Sequence, residues 1–212
     1  MSAFNYKSRG STEENGGSHP EALCFVVDST ASMGPWIRAL TKILPELIQM
    51  TALTGSFQYL SIIVYGDYDS RWDKPVEFSG WLRPDDPSLG QYAADMEPKG
   101  GGGHPEAVKT ALYNLVDASV ATSFPDGVLH QVRVLHLTDA SAHITGSNLD
   151  AEGRAEKKHL GKAKFDWVHL TTRHIVPLPI TYSCLTTVDF VPYFYLAEAT
   201  GGAVHRIKET DA

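Results

Sequence analysis

Three apolar runs in this chain each close on an aspartate. Leu23-Cys24-Phe25-Val26-Val27 ends in Asp28, Leu60-Ser61-Ile62-Ile63-Val64-Tyr65 ends at Gly66-Asp67, and Val132-Arg133-Val134-Leu135-His136-Leu137 ends at Thr138-Asp139. Apolar runs without clean polar alternation mark strands covered on both faces, as parallel strands are. Between them lie stretches of helical period. Pro35 opens one, and Trp36, Ile37, Leu40, Ile43, Leu44, Leu47, Ile48 and Thr51 recur along one face, with a kink expected at Pro45. Pro105 opens another, with Ala107, Val108, Ala111, Leu112, Leu115 and Val116 on its buried side.

Shorter elements complete the pattern. The sequence predicts an edge strand over Pro75–Leu82, a small helix over 88–96 and a helix over Phe165–His174. A strand over Pro179–Leu185 follows, then a helix over 189–200 closed by Gly201-Gly202, and a last strand over Ala203–Ile207. Alternating strands and helices mean βαβ units. The fold class is therefore α/β: a doubly wound, mostly parallel central sheet flanked by helices, Rossmann-like in layout. Right-handed crossovers then gather the strand C-termini on one edge. Residues 1–20, polar and Gly/Ser-rich, are expected to form a loose arm. Residues 21–207 make one domain and 208–212 a tail.

Composition excludes several classes of function. The chain carries 212 residues, 42% of them hydrophobic, and a net charge of −7. Diffuse acidity argues against a nucleic-acid partner, which wants a basic face. The one basic cluster, Arg154, Lys157, Lys158, Lys162 and Lys164, reads first as a solvated helix face. No run reaches the ~20 apolar residues of a membrane span, and the first twenty residues lack a signal peptide's apolar core. Cys24 and Cys184 both sit in apolar strands and suit a reducing compartment, so a cytoplasmic location is expected.

In an open α/β sheet the ligand crevice lies beyond the strand C-termini, where strand order reverses. Asp28, Asp67 and Asp139 are expected to meet there, and a cation would relieve their repulsion. Taken singly, each would cap the helix after it. The turn Asp28-Ser29-Thr30-Ala31-Ser32-Met33-Gly34 changes the weighing. Asp28, Thr30 and Ser32 alternate, so an extended turn aims three oxygens one way. One carboxylate and two hydroxyls facing a second carboxylate form half of an oxygen shell suited to Mg²⁺.

Asp28-x-Thr30-x-Ser32 resembles the metal-ion-dependent adhesion site (MIDAS) motif of von Willebrand factor A domains. Thr138-Asp139-Ala140 resembles that family's later aspartate. Tyr65-Gly66-Asp67, Gly101-Gly102-Gly103-His104-Pro105-Glu106-Ala107-Val108 and Thr138-Asp139-Ala140-Ser141-Ala142-His143, in that order, are similar to the A domains found with alpha-kinases. The resemblance implies that Thr30 and Ser32 bind a cation directly and that Asp28 and Asp139 act directly or through water. The ion would be Mg²⁺, or Mn²⁺ or Ca²⁺. One position departs from the family. Gly103-His104 stand where it places a threonine or aspartate, which leaves that ligand to Asp67, to a water, or to none.

Other chemistries fit less well. The four-glycine loop lacks the lysine of a phosphate loop, and Pro105 stands where a dinucleotide motif needs glycine. Asp67-Tyr68-Asp69 begins like a calcium loop, but Arg71, Trp72 and Phe78 occupy essential places of an EF-hand. No histidine pair has the spacing of a zinc protease, and His136, inside a strand, reads as a satisfied core histidine. No nucleophile elbow surrounds Ser32. The expected function is thus a divalent-cation-dependent binding or adhesion module and not an enzyme. Its partner is a protein or other oxygen-bearing ligand. Gly103, His104, Tyr68 and Trp72 line the ligand site, and Tyr65 and Trp81 are further candidates for the contact surface, with core packing weighed equally for Trp81. The alternatives are a metal-free scaffold of the same fold and a metal-dependent hydrolase.

Overall fold

The computed structural model describes residues 20–68, 75–100, 106–142 and 167–207. Its centre is a six-stranded sheet. The strands are β1 (Glu21–Asp28), β2 (Tyr59–Tyr65), β3 (Val76–Phe78), β4 (Gln131–Thr138), β5 (Ile180–Thr186) and β6 (Val204–Arg206). They stand in the order β3-β2-β1-β4-β5-β6. Every pairing is parallel except β2 with β3, which is antiparallel at one edge.

The helices are α1 (Gly34–Thr54), α2 (Pro87–Ala94), α3 (Val108–Ala118), the short α4 (Trp167–His169) and α5 (Val191–Thr200). Strand alternation divides the core between the two faces of the sheet. Phe25, Val27, Ile62 and Val64 pack with Ile37, Leu44 and Ile48 of α1 and Leu89 and Ala93 of α2. Cys24, Val26, Ile63, Val134 and Tyr182 pack with α3, α4 and α5 on the other side. All seven residues of β2 are buried, as its unbroken apolar run implies. Each such leucine or isoleucine contributes roughly 1.5–3 kcal/mol when fully buried.

Pro45 lies within the 21-residue α1. Several local expectations are corrected. Ile43 and Leu47 of the expected apolar face are 50% and 40% exposed, because the sheet takes only the arc through Ile37, Leu44 and Ile48. The helix expected to reach His174 holds α-geometry only over Trp167–His169, then widens into a π-helix over Leu170–Ile175. α3 begins at Val108, and Pro105 lies outside the described residues. The basic cluster from Arg154 to Lys164, residues 1–19 and the tail 208–212 also lie outside them.

At the far edge, α5 ends on Gly201 with φ 76°, a left-handed conformation that favours glycine. Gly202 then passes so close to β5 that a Cβ there would lie 1.8 Å from the Tyr182 carbonyl oxygen. Backbone cannot yield as a flexible side chain can. Gly202→Ala should therefore destabilise the domain by about 2–3 kcal/mol, lowering its melting temperature by roughly 4–12 °C. A thermal melt checks this, and an unchanged melting temperature would mean that β6 sits differently.

Candidate metal centre

The chain leaves β1 toward β2 on one side and returns to β4 on the other, so strand order reverses between β1 and β4. The C-terminal ends of these two strands therefore flank the crevice where such sheets bind ligands. Register sets Val27 beside Leu137, which brings Asp28 next to Thr138 and Asp139.

Asp28 is fully buried. Its Oδ1 accepts from the Thr30 amide (3.0 Å) and the Thr30 hydroxyl (2.8 Å). Its Oδ2 accepts from the Thr138 hydroxyl across the sheet (2.9 Å). Thr30 has extended backbone, and Ala31–Met33 form a single 3₁₀ turn leading into α1. That turn sets the Thr30 and Ser32 hydroxyls 3.1 Å apart. The Ser32 hydroxyl donates to Asp139 Oδ1 at 3.2 Å. Four oxygen-bearing side chains thus form one continuous chain: Asp28, Thr30, Ser32, Asp139. Backbone bonds hold the turn from both sides. The Ser29 amide donates to the Tyr65 carbonyl (2.8 Å), the Lys99 amide to the Ser29 carbonyl (2.7 Å), and the Ala31 amide to the Gly100 carbonyl (3.2 Å).

The donor set fits a small hard cation. An octahedral ion with oxygens at 2.0–2.1 Å keeps neighbouring oxygens about 2.9 Å apart. The separations along the chain are 2.8, 3.1 and 3.2 Å. Thr30 is buried beneath the centre while Ser32 is exposed, so the cluster opens outward. Burial, partly offset by the Thr30 hydrogen bonds and reinforced by the Asp139 charge, raises the Asp28 carboxyl to about 6. Such a carboxylate gains from a neighbouring positive charge.

Other expected site residues fall in different places. Asp67 is buried just beyond β2, and its Oδ1 accepts from the Tyr68 amide (2.7 Å). The described residues hold no group of three or more His, Cys, Asp or Glu side chains suited to a metal. The hydrogen-bonded chain at the centre consists of two carboxylates and two hydroxyls. Tyr68 is half-buried and its hydroxyl pairs with Thr110 of α3. Trp72, Gly103 and His104 lie outside the described residues.

Of the aromatics that were candidates for the contact surface, Tyr65 is a core residue, and Trp81, for which core packing was weighed equally, is one too. Trp81 stacks on Phe124 (4.7 Å) and donates to the Ala118 carbonyl (2.6 Å). Tyr65 is fully buried and shares a hydrogen bond with His136 Nε2 (2.7 Å). His136 Nδ1 pairs with the Tyr182 hydroxyl (2.6 Å), and burial lowers this imidazole to about 3, so it is neutral. A neutral imidazole has one donor and one acceptor nitrogen, and the two hydroxyls satisfy both.

Sequence reasoning missed two groups at the centre. Thr138 bonds Asp28 directly; the matched strand ends Asp28 and Thr138-Asp139 carry the signal for it. Tyr193 of α5 donates to the Ala140 carbonyl at 2.9 Å, a contact that no local pattern announces.

Comparison with known structures identifies the architecture. The chain aligns over 89% of its length with an SpRpn10 VWA domain, covering 88% of that domain, at 9% identity and a TM-score of 0.53. The fold is that of a von Willebrand factor A domain. The pilus adhesin SpaC of Lactobacillus rhamnosus GG, in its open conformation, matches 92% of this chain with a TM-score of 0.59 at 12% identity, over 29% of the adhesin chain. By sequence, the chain is 31% identical over 196 residues to a putative ariadne-like RING finger protein, R811, of Acanthamoeba polyphaga mimivirus. The match takes 89% of this chain but spans only 18% of that relative's length. No protein-family model matches the chain.

The buried Asp28 makes the stability of this von Willebrand factor A fold depend on pH. Its folded-state value near 6 lies above the unfolded carboxyl value, so the folded state holds its proton more tightly. Stability from this group is then present at low pH and lost as pH rises from about 4 to about 6, by about 3 kcal/mol in all. In chelator, Asp28→Asn should remove this part of the decline between pH 4 and pH 7. Melting curves across that range check it, and parallel profiles for the two proteins would contradict it.

Proposed function

We propose that this domain is a divalent-cation-dependent binding module, acting by binding and not by turnover. The observation that carries the reading is the oxygen chain Asp28–Thr30–Ser32–Asp139 at the switch point of the sheet. Thr30 and Ser32 would hold Mg²⁺, or Mn²⁺ or Ca²⁺, through their hydroxyls, with the carboxylates of Asp28 and Asp139 supplying charge. When bound, the ion supplies an electrophilic position for an outside oxygen donor. A carboxylate of a protein partner suits it best, being anionic and hard.

The chain's own residues prepare that site. Thr138 and the Thr30 amide orient Asp28, so its carboxylate is aimed before any ion arrives. The 3₁₀ turn presents Ser32 to solvent. Neutral His136 and its tyrosine partners form a rigid floor beneath. One structural neighbour is a pilus adhesin, which agrees with a binding role. The motifs Tyr65-Gly66-Asp67 and Thr138-Asp139-Ala140 support a narrower likeness to the A domains found with alpha-kinases. The two buried free thiols Cys24 and Cys184 favour a cytoplasmic setting. No helix among the described residues is long and apolar enough to cross a membrane.

A second reading has its own support. The hydroxyls and carboxylates of the centre already satisfy one another, as they would in a metal-free scaffold. A thermal melt separates the two. At about 100 times its dissociation constant, a cation binding only the folded state adds about 2.7 kcal/mol. For a domain of this size the melting shift is roughly 5–10 °C. The parent should show this shift on moving from chelator to millimolar Mg²⁺, and Asp28→Ala should not. Equal shifts in both would displace the site. No shift in the parent would favour the scaffold.

A further inference from the structure

Asp139 is carried on the turn that follows the end of β4. Hydrogen bonds fix that turn on both sides, among them the Glu106 amide donating to the Ser141 carbonyl (3.0 Å). Thr138 donates to Asp28 and accepts from the Ala140 amide (3.1 Å), which holds the leading side. The trailing side is the Ala140 carbonyl. It belongs to a fully buried residue, and the Tyr193 hydroxyl donates to it at 2.9 Å.

Tyr193 comes from α5, an element that gives no ligand to the centre. Its own setting is rigid. The ring is fully buried, edge-on to His136 (5.3 Å) and to Phe190 (4.7 Å), and tilted against Trp167 (5.9 Å). Burial pushes its hydroxyl well above the usual phenol range, so it stays a donor. The His136 ring that it meets is the one fixed by Tyr65 and Tyr182. The hydroxyl therefore ties the turn bearing Asp139 to helix α5 through a single bond in a close-packed frame.

We propose that Tyr193 is a positioning residue for Asp139. It sets how closely the centre shuts on a small cation, and it links the placement of α5 to cation affinity. The proposal rests on the cation-binding reading above. Its chemical consequence is selective. Mg²⁺ requires near-ideal octahedral oxygens at short distance, while Ca²⁺ accepts six to eight at longer and more variable distances. Releasing the turn should therefore penalise Mg²⁺ more than Ca²⁺. A residue with only a packing role would change stability without changing that ratio.

The test measures Mg²⁺ and Ca²⁺ dissociation constants by calorimetry on the whole chain, for the parent, Tyr193→Phe and Phe190→Leu. Tyr193→Phe keeps the ring and its aromatic contacts and loses one hydrogen bond, and a melt in chelator verifies its fold. Phe190→Leu loosens the same packing and leaves the hydroxyl in place. Tyr193→Phe should weaken Mg²⁺ about tenfold and Ca²⁺ less than threefold, while Phe190→Leu should leave the ratio at the parent's value. If Tyr193→Phe binds both ions as the parent does, or weakens both equally, the positioning role is overturned and cation binding stands. If Phe190→Leu shifts the ratio as far as Tyr193→Phe, packing and not the hydroxyl is responsible. If the parent binds neither ion, the cation reading falls first and this inference with it.

Discussion

The buried carboxylate of Asp28 is the constraint on which the top of this sheet is organised. It ends β1, a strand paired on both sides, and it has no access to water. Three hydrogen bonds satisfy it, two from Thr30 and one from Thr138. An ionised carboxylate buried without such partners would cost several kcal/mol, so these bonds are conditions of the fold as much as of the site. They also tie three pieces of chain together: the end of β1, the turn into α1, and the end of β4. The remaining members of the centre follow from that tie, since Ser32 lies on the same turn and Asp139 follows Thr138.

Below this layer the polar groups are arranged differently. His136, Tyr65 and Tyr182 are fully buried and share hydrogen bonds without any net charge. A neutral network of this kind is inexpensive to bury once every donor and acceptor is matched, and it rigidifies what lies above it. The layers complement each other. The floor is neutral, matched and closed; the crest is acidic, held at a raised carboxyl value and open on the Ser32 side. A divalent cation would find fixed oxygens and unneutralised charge in the same place.

Most of the architecture was legible in the sequence, because unbroken apolar runs ending in aspartate specify parallel strands and their C-terminal edge together. The motif Asp28-x-Thr30-x-Ser32 was legible for a local reason: its members lie within five residues, so the turn alone brings them together. The failures share a cause in long-range packing. Tyr65 was a contact-surface candidate because aromatics are enriched at interfaces, yet β2 is buried on both faces and Tyr65 packs in the core beside His136. Ile43 and Leu47 fit the helical period of α1, but period does not tell how wide an arc the sheet will cover. Tyr193 meets Ala140 across fifty-three positions, a pairing that only the folded sheet creates.

The central claim is that a cation sits among these four side chains. Crystals of the whole chain grown in chelator and soaked in millimolar Mn²⁺, with diffraction recorded at the manganese edge, address it directly. The account predicts one anomalous peak at direct-ligand distance from the Thr30 and Ser32 hydroxyl oxygens, with the Ser32-to-Asp139 hydrogen bond broken to admit the ion. Absence of a peak there, with the Ser32-to-Asp139 hydrogen bond intact in an accessible crevice, would contradict it.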